Sequence, residues 1–267
     1  DTVTDDELHR LRASFDGVAS QYDMARPDYP ALMYDDIRAL SGVPDGGDVL
    51  EIGCGTGQAT LPLAAQGYHI CAIELGANLA AIARRKLAAF PAVEIRVGPF
   101  ESMPLDEQSF DLAISATAFH WIEAASYPKL ARLLRPGGSV ALFWNKHIAS
   151  AVYGGFFERV QSVYRQHAPE LYGEGKGLPA IEELRDETAT LAATGLFGDF
   201  IVRQYPWTKQ YGSEAYIRLI DTYSDHRMLP RARRQRLYDG ITAMIESSYG
   251  GQITVQYLTI LSIAHRR

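Results

Sequence analysis

The sequence predicts an α/β fold in which a parallel β-sheet carries helices on both faces. The first observation is the stretch DVLEIGCGTG at residues 48–57, where a short apolar run breaks into a glycine-rich turn. The second is a regular alternation of apolar, strand-like runs with segments of helical periodicity over residues 48–144. Parallel strands need crossover connections, so this alternation is typical of a parallel sheet covered by helices.

Five strands and three helices account for this alternation. The first helix tolerates Pro62, because a proline near a helix start removes no donor that the helix needs. Ser126 can cap the third helix, which has Pro128 in its first turn and ends at the RPGG of residues 135–138. The predicted strands are Val49–Gly53, His69–Glu74, Val93–Val97, Phe110–Ala116 and Ser139–Trp144, and the first two helices are Gln58–Gln66 and Asn78–Phe90.

The segments on either side of this core are predicted to cover it. Residues 1–47, expected to be helical to about Phe15, form an N-terminal flap that can fold over the carboxyl end of the first strand. A strand, two helices and a final strand predict a sheet edge with a helical lid, which is built from residues after Asn145. The predicted elements are helices at Ala31–Leu40, Tyr153–His167 and Glu187–Thr194, a glycine-rich piece at 171–177, a C-cap at Gly195, a strand at Phe200–Trp207, helices near Glu214–Tyr223 and Pro230–Ser248, and a strand at Ile253–Ile263. We therefore expect a single domain, with the flap at 1–47, a core at 48–145, and the sheet completion and lid at 146–267.

The composition excludes several classes of partner. A net charge of −6 argues against a nucleic-acid partner, which would need a basic stripe. The arginines within residues 231–236 are interpreted as the solvated face of a helix. The two cysteines, Cys54 and Cys71, lie in or beside predicted core strands, which favours reduced thiols and a cytoplasmic location. No long apolar run or signal-peptide pattern indicates a membrane partner.

The glycine-rich turn predicts a nucleotide-like ligand, because backbone without Cβ atoms can approach such a ligand closely. The dinucleotide fingerprint G-x-G-x-x-G/A fails here, since Gln58 occupies its third glycine position. A phosphate-binding P-loop is excluded, because no Gly-Lys-Ser/Thr follows. The turn instead reads E-x-G-x-G-x-G, with Glu51 inside the strand.

The order of motifs from Phe15 to Trp144 resembles that of the class I S-adenosylmethionine-dependent methyltransferases. The parts that carry the resemblance are LEIGCGTG, the acidic Glu74 at the end of the second strand, VGPFESMPLDEQSFD, and RLLRPGG before an apolar strand. Within the family, FDGVASQYDMARPDYP and SATAFHWI resemble the branch related to trans-aconitate and ubiquinone-pathway methyltransferases, which mostly modify small molecules. The resemblance implies a Rossmann-like, mostly parallel sheet of seven strands with the last strand antiparallel.

The resemblance also implies that S-adenosylmethionine is the cofactor, and it indicates where this cofactor binds. The turn backbone would hold the methionine part, and Glu74 would accept hydrogen bonds from both ribose hydroxyls, as a carboxylate can. Leu75 would lie against the adenine, and Tyr22 or Arg26 of the flap would lie near the cofactor carboxylate. The predicted cofactor-binding residues are Tyr22, Arg26, Glu51, Gly53, Cys54, Gly55, Gln58, Glu74, Leu75, Phe100, Glu101 and Thr117.

One departure from the family pattern concerns the adenine. Many members have Gly-Asp-Ala where this chain has Gly98-Pro99-Phe100, and Pro99 cannot replace the Asp that binds the adenine amino group. The Phe100 backbone N–H can still meet an adenine ring nitrogen, and Glu101 can reach the amino group. The sequence leaves open which group does so.

Candidate catalytic and acceptor-binding residues follow the fourth strand and recur in the second half of the chain. His120 either has a structural or cofactor-contacting role or acts as a general base that takes a proton from a hydroxyl or amine. His147 and His226 are weaker candidates, because the sequence does not indicate how they are oriented. The aromatic second half predicts a pocket for a flat or apolar acceptor, and cation–π attraction would also suit a sulfonium. The predicted substrate-binding residues are Trp121, Trp144 and Tyr223.

We therefore predict methyl transfer from S-adenosylmethionine to an oxygen or nitrogen of a small molecule, such as a specialised metabolite, by in-line displacement. The alternatives are a C-methyltransferase, a non-catalytic S-adenosylmethionine-binding protein and, with less support, a nicotinamide-dependent oxidoreductase. No metal is predicted, because no His, Cys, Asp or Glu cluster has metal-ligand spacing. The expected partner is a small-molecule methyl acceptor, with no nucleic acid and no membrane, and the protein is expected to be a monomer or homodimer.

Overall fold

Seven strands form one mixed sheet in the computed structural model, which describes residues 19–149, 155–172, 178–184 and 187–267. The strands are β1 (Asp48–Ile52), β2 (His69–Glu74), β3 (Val93–Val97), β4 (Phe110–Ala116), β5 (Leu134–His147), β6 (Ile201–Gly212) and β7 (Gln252–His265). Their order across the sheet is β3-β2-β1-β4-β5-β7-β6. The first five strands pair in parallel, and β7 runs antiparallel to both β5 and β6. The predicted seven-stranded, mostly parallel sheet with an antiparallel last strand is confirmed.

The helices of the described residues cover both faces of this sheet and its carboxyl edge. They are α1 (Ala19–Ala25), α2 (Ala31–Ser41), α3 (Thr60–Ala65), α4 (Ala77–Lys86), α5 (Tyr127–Leu133), α6 (Phe156–His167), α7 (Ala189–Ala192), α8 (Ser213–Ile220), α9 (Ser224–Met228) and α10 (Arg231–Ser248). The flap helix α1 packs against α4 and α8, so the first segment of the described chain touches both the core and the lid. In the lid, α10 packs against α6 and α8.

Most predicted boundaries agree with the structure, and the differences have physical reasons. The strands β2, β3 and β4 begin and end where the sequence predicts. β5 begins at Leu134 rather than Ser139, because Leu134 pairs with Phe110 before a register shift absorbs the RPGG segment. β6 continues beyond Trp207 to Gly212 and contains Pro206, which an outermost strand can accommodate.

The observed ends of the helices differ more from the predicted ends than those of the strands do. The first helix after β1 begins at Thr60 rather than Gln58, because the glycine-rich turn extends over residues 53–59. Ser126 stands at the N-cap position of α5, but its side chain makes no capping hydrogen bond. The helix predicted to end at Tyr223 stops at Ile220, and the separate helix α9 follows. The predicted helix up to Phe15, the start of the helix at Tyr153 and residues 173–177 of the glycine-rich piece lie outside the described residues.

Side chains of the central strands alternate between two apolar clusters, one on each face of the sheet. Val49 of β1 packs with Ile37 of α2 and Leu63 of α3, whereas Leu50 packs on the other face with Leu130 of α5. Both faces are covered, as the apolar run of a parallel strand requires. A third cluster, which includes Tyr216, Leu237 and Tyr257, holds the lid against β6 and β7. The sheet is therefore a rigid support whose carboxyl edge faces the flap and the lid.

Candidate active site

A cavity of about 410 Å³ lies at the carboxyl ends of β1, β2 and β4; we call it the main cavity. Its volume falls in the range of small-molecule sites, roughly 300–1,000 Å³. Its walls are the glycine-rich turn, the ends of β2 and β4, residues 98–101, the flap and the lid. β1 and β4 are neighbours in the sheet, although β2 and β3 separate them in sequence. Open α/β sheets bind ligands at such a change of strand order.

The glycine-rich turn brings bare backbone to the wall of the main cavity. Gly53 and Gly55 line it, and their φ angles are +75° and +57°. A Cβ on Gly53 would lie 2.5 Å from the Cβ of Ala118, so the loop after β4 leaves room for glycine alone. The N–H groups of Gly53 and Cys54 donate to the Ile73 carbonyl at 2.9 and 3.2 Å, which fastens the turn to β2. A ligand can therefore approach the backbone of this turn closely.

Glu74 is the buried carboxylate at the end of β2, and it lines the main cavity. Its two oxygens accept hydrogen bonds from the backbone N–H groups of Gly55 and Gly76, each at 2.8 Å. These bonds hold the carboxylate beside the glycine-rich turn in one orientation. A carboxylate has about four acceptor sites, so a group that is oriented by two backbone donors is suited to bind the hydroxyls of a ribose.

Glu51 is the second carboxylate of this region, but it lies inside the protein beneath the turn. It is fully buried, and neither of its oxygens has a hydrogen-bond partner among the described residues. Burial raises the pKa of Glu51 to about 7, and the charge of Glu74 adds to this rise. Glu51 lines neither cavity described here, so its predicted contact with a cofactor stays a prediction.

Residues 98–101 form the opposite end of the main cavity, together with Leu75. Phe100 is buried, and its ring centroid lies 5.0 Å from the Lys129 ammonium. The same ammonium donates hydrogen bonds to the backbone carbonyls of Phe100 and Glu101, at 2.7 and 3.2 Å. This end of the cavity is thus held in place by a cation behind its wall, and Leu75, Phe100 and Glu101 meet where the sequence predicts an adenine site.

Arg26 of the flap joins the flap to the lid across the main cavity. Its guanidinium lies between the rings of Tyr22 and Tyr223, with its central carbon 5.0 and 4.8 Å from their centroids. Its Nη2 donates to the Thr222 carbonyl at 3.2 Å. Its Nε is buried without a hydrogen-bond partner among the residues that the structure describes. A positive charge with a spare buried donor suits an anionic group such as a carboxylate.

A smaller cavity, of about 70 Å³, lies beyond Arg26 and shares part of its wall with the main cavity; we call it the inner chamber. Its wall consists of Tyr22, Arg26, Pro27, Tyr29, Gly53, Cys54, Gly55, Gln58, Ala59, Ala116, Thr117, Asn145, His147, Tyr223 and Tyr257. Thr117 has a φ of +56°, a strained value for a threonine, and shares a 2.8 Å hydrogen bond with the Tyr29 hydroxyl. Burial raises the pKa of the Cys54 thiol well above its usual value, so Cys54 contributes an uncharged surface.

The histidines that the sequence singles out have different surroundings. His120 is exposed on a short turn, Phe119–Trp121, and lines the main cavity with Trp121, whose ring centroid lies 4.7 Å away. His147 ends β5 and lines the inner chamber. His226 is buried in the lid, where it bonds to Asp225 and to the Tyr164 hydroxyl at 2.8 Å each. His120 and His147 can therefore reach a ligand, whereas His226 has a structural position.

Trp144 lines neither of the two cavities described here, so its predicted role in substrate binding stays a prediction that this position does not support. Side chains along β5 alternate between the two faces of the sheet. This alternation buries Trp144 with Val140 and Leu142 in the apolar cluster beneath α5. Trp121 and Tyr223, the other two predicted substrate-binding residues, do line the main cavity.

Sequence reasoning missed several residues of the inner chamber. Asn145 follows the same alternation as His147, so the period of β5 could have placed both of them opposite Trp144. Tyr29 stands between Pro27 and Pro30, where no periodic pattern indicates a direction. Tyr257 lies on β7, and only the antiparallel pairing of β7 with β5 sets it beside His147. No local signal could have identified Tyr257.

Two further observations concern partners. Within the described ranges, no group of three or more His, Cys, Asp or Glu residues is arranged to hold a metal ion. Among the helices of the same ranges, none combines the length and apolar character that crossing a membrane requires.

Comparisons with known proteins find similarity to methyltransferases. Residues 50–142 match the family described as a methyltransferase domain. Over 249 residues the chain is 25% identical to an uncharacterized methyltransferase of Schizosaccharomyces pombe, a match that covers 92% of this chain and 93% of that protein. It is 34% identical to an uncharacterized methyltransferase of Mycobacterium tuberculosis over 136 residues, which are 51% of this chain and 53% of that protein.

A solved methyltransferase structure has the same fold as this chain. The phosphoethanolamine N-methyltransferase 2 of Haemonchus contortus, crystallised in complex with S-adenosyl-L-methionine, superimposes with a TM-score of 0.53. The match covers 98% of this chain and 59% of that chain at 16% identity, which shows a shared fold alone.

Proposed function

The chain belongs to the class I S-adenosylmethionine-dependent methyltransferases, and on this premise we propose that it methylates an oxygen or nitrogen of a small molecule. One observation carries the proposal. The oriented carboxylate of Glu74 and the bare backbone of the glycine-rich turn share a cavity with Arg26 and with aromatic side chains of the flap and the lid. The first two features suit the cofactor, and the aromatic side chains suit an acceptor beside it.

The residues present fit S-adenosylmethionine. Glu74 would hold the ribose hydroxyls, the turn backbone at Gly53 and Gly55 would hold the methionine part, and Arg26 would pair with the cofactor carboxylate. Leu75 and Phe100 would enclose the adenine, with the Phe100 N–H or Glu101 as its polar partner. When bound, the cofactor supplies an activated methyl group on a sulfonium, whose transfer leaves S-adenosylhomocysteine.

The size and closure of the site favour a small acceptor. The flap and the lid both contribute to the wall of the main cavity, the flap through Tyr22 and Arg26 and the lid through Tyr223 and Asp225. Because Arg26 stacks on Tyr223 and donates to the Thr222 carbonyl, flap and lid hold each other over the site. Such contacts would help to hold the two reactants in line, and proximity with orientation can contribute roughly 7–11 kcal/mol of the barrier.

This arrangement assigns a different role to each of three segments of the chain. Residues 1–47 would act as the flap, residues 48–145 would bind the cofactor, and residues 146–267 would complete the sheet and build the acceptor side. His120 stays a predicted catalytic residue, since its exposed ring at the cavity mouth is able to meet an acceptor that enters there.

Binding and product analysis test the proposal in two steps. Calorimetry should show that S-adenosylhomocysteine binds with a stoichiometry of about one and that a reduced nicotinamide dinucleotide does not compete. Methyl-labelled S-adenosylmethionine is then incubated with small phenols, amines and carboxylates, and the products are analysed by mass spectrometry. Label on oxygen or nitrogen is expected. Label on carbon alone, or binding without transfer to any acceptor, would favour the C-methyltransferase or the non-catalytic binder.

A further inference from the structure

His147 stands at the far wall of the inner chamber, away from the mouth of the site where His120 lies. It is the last residue of β5 and pairs with Tyr257 of β7 in the sheet ladder. The chamber it lines also includes Gly53 and Gly55, so a group held against His147 is close to the turn assigned to the methionine part of the cofactor. The inner chamber therefore connects an imidazole with the turn that would hold the methionine part of the cofactor.

The surroundings of His147 are three aromatic rings. Its centroid lies 4.6 Å from that of Tyr257, in an edge-on arrangement, 5.8 Å from that of Phe157 and 6.4 Å from that of Tyr223. These rings limit the directions in which the imidazole can turn. Among the described residues, no side chain or backbone group forms a hydrogen bond with either ring nitrogen. A nitrogen lone pair on a ring held in this way is available to a ligand in the chamber.

Several other polar groups of the chamber are already engaged, although the Arg26 Nε and the Gln58 amide nitrogen are buried without a partner among the described residues. The Tyr29 hydroxyl bonds to that of Thr117, and the Asn145 amide donates to the Asp28 carbonyl at 3.2 Å. The Asn145 carbonyl oxygen accepts from the Thr259 hydroxyl at 2.6 Å. His147 thus differs from Tyr29, Thr117 and Asn145, because neither of its ring nitrogens has a bond within the described chain.

The charge of the chamber distinguishes neutral from anionic nucleophiles. Burial and the positive charge of Arg26 lower the pKa of His147 to about 4, so the ring is neutral near neutral pH. Burial raises the pKa of Tyr223 to about 12, so its hydroxyl keeps its proton. Among the described residues of the wall, Arg26 carries the only formal charge, and none of these residues has a carboxylate. The nitrogen lone pair of a neutral imidazole can take a proton from an O–H or N–H group, whereas an ionised carboxylate brings no proton for it to take.

We propose that His147 receives the proton of the nucleophile and that the acceptor is therefore a neutral aromatic hydroxyl or amine, such as a phenol or an arylamine. This inference rests on the proposed function, since it names the acceptor class and a catalytic residue for the same reaction. The chamber is lined by the rings of Tyr22, Tyr29, Tyr223 and Tyr257, among which an aromatic ring can pack. Trp207 stacks on Tyr257 with centroids 4.6 Å apart and supports that ring from behind.

The proton transfer balances without a further reactant. As the nucleophilic oxygen or nitrogen forms its bond to the methyl carbon, its own O–H or N–H bond breaks and the proton moves to a ring nitrogen of His147. The positive charge that the methyl donor loses therefore reappears on the imidazolium. The imidazolium then returns the proton to water. Because His147 is a weak base, we expect its contribution at the low end for general-base catalysis, about 100-fold in rate.

Two substitutions separate proton uptake from packing. His147→Gln keeps a hydrogen-bond acceptor but cannot take up a proton, and His147→Phe keeps an aromatic ring without any acceptor. His69→Asn is the matched control, because His69 is an exposed histidine at the start of β2 that lines neither cavity. Circular dichroism and calorimetric binding of S-adenosylhomocysteine establish that each variant is folded and loaded.

The probes are phenol, aniline and benzoate, which share a ring and differ in the nucleophile. Nitrogen-15 NMR of the S-adenosylhomocysteine complex should show a shift of the His147 resonance on addition of phenol or aniline and none on addition of benzoate. With methyl-labelled cofactor, phenol or aniline should be methylated. His147→Gln should lower kcat about 100-fold at an unchanged KM for the probe, and His147→Phe should lower kcat and raise KM. Both variants should keep the affinity for S-adenosylhomocysteine within about twofold, and His69→Asn should match the wild type.

Each contrary result overturns this inference. Methylation of benzoate alone, the absence of transfer to phenol and aniline in a protein that binds S-adenosylhomocysteine, or full activity of His147→Gln would do so. If only His120→Gln lowers kcat, the proton acceptor is His120 at the cavity mouth and not His147. A chain that does not bind S-adenosylhomocysteine would contradict the proposed function itself, so the two failures are distinguishable.

Discussion

At the Glu74 end of the site, residues 51–76 build a wall in which backbone N–H groups hold a carboxylate in one orientation. At the His147 end, the wall is made of aromatic rings that come from the flap, β5, the lid and β7. The first end has polar groups with fixed directions, and the second has broad apolar surfaces with one cation and one imidazole. Hydrogen bonds with fixed directions suit the cofactor, which would be the same molecule in all relatives. Ring surfaces suit a methyl acceptor, whose shape can differ among relatives.

The difference predicts that substitutions near Glu74 act on folding and cofactor binding, and that substitutions near His147 act on turnover. The first prediction concerns Gly53→Ala at the Glu74 end. A Cβ there would meet Ala118 at 2.5 Å on a residue with φ of +75°, so strain and overpacking should together cost about 4 kcal/mol of unfolding free energy. Thermal unfolding should show a drop in Tm of about 12 °C.

The control for this prediction is Gly195→Ala. Gly195 has a similar φ of +69° but no atom within 4 Å of the added Cβ, so only about 1 kcal/mol of backbone strain is expected. Equal destabilisation by the two substitutions would show that the close approach of the turn to Ala118 has no energetic weight.

The second prediction uses the buried carboxyl of Glu51. Its pKa rises from 4.5 to about 7 on folding, so between these values the folded state binds a proton that the unfolded state has lost. The free energy of unfolding should therefore fall as the pH rises from 4.5 to 7, by about 3 kcal/mol in all. Urea unfolding at a series of pH values should show this slope in the wild type, and Glu51→Gln should remove it.

Glu94→Gln is the control for the pH series. Its carboxylate pairs with Arg96 on the surface, which lowers the pKa of Glu94, so it loses its charge only below this range. A slope that persists unchanged in Glu51→Gln would mean that another group titrates.

The third prediction tests the orientation of Glu74. In Glu74→Gln, the amide NH₂ must face one of the N–H groups of Gly55 and Gly76, and the charge is lost. The affinity for S-adenosylhomocysteine should fall about 70-fold, or about 2.5 kcal/mol, when measured by calorimetry. Glu107→Gln removes an exposed carboxylate paired with Arg132 and should leave the affinity unchanged. An equal affinity of the two variants would contradict the ribose role.

The fourth and smallest effect is expected at the boundary between the two ends. Arg26→Ala removes the cation between Tyr22 and Tyr223, and the affinity for S-adenosylhomocysteine should fall about tenfold, or about 1.4 kcal/mol. The same titration with Arg38→Ala, which removes an exposed arginine paired with Asp45, should give the wild-type value. If Arg26→Ala binds as well as the wild type, Arg26 does not hold the cofactor carboxylate.

The sequence by itself determined the sheet, its order of motifs and the Glu74 end of the site. These features depend on near neighbours in the chain: an apolar run, a turn that only glycine permits at Gly53, and a carboxylate at the end of the next strand. Their geometry follows from local backbone conformation and from the period of the strands. The grouping of Glu74, Leu75 and Phe100 at one ligand was predicted from the family resemblance that these motifs carry, and all three line the main cavity.

Only the tertiary structure decided the His147 end. Trp144 and His147 are three residues apart on β5 and face opposite sides of the sheet, so one is buried under α5 and the other lines the inner chamber. Tyr29, Tyr223 and Tyr257 reach that chamber from segments far apart in sequence, through the fold of the flap, the stacking of Arg26 on Tyr223 and the antiparallel insertion of β7. The strand period by itself sets His147 opposite Trp144. The contacts of the three tyrosines instead depend on packing between distant segments, and no local pattern in the chain encodes their direction.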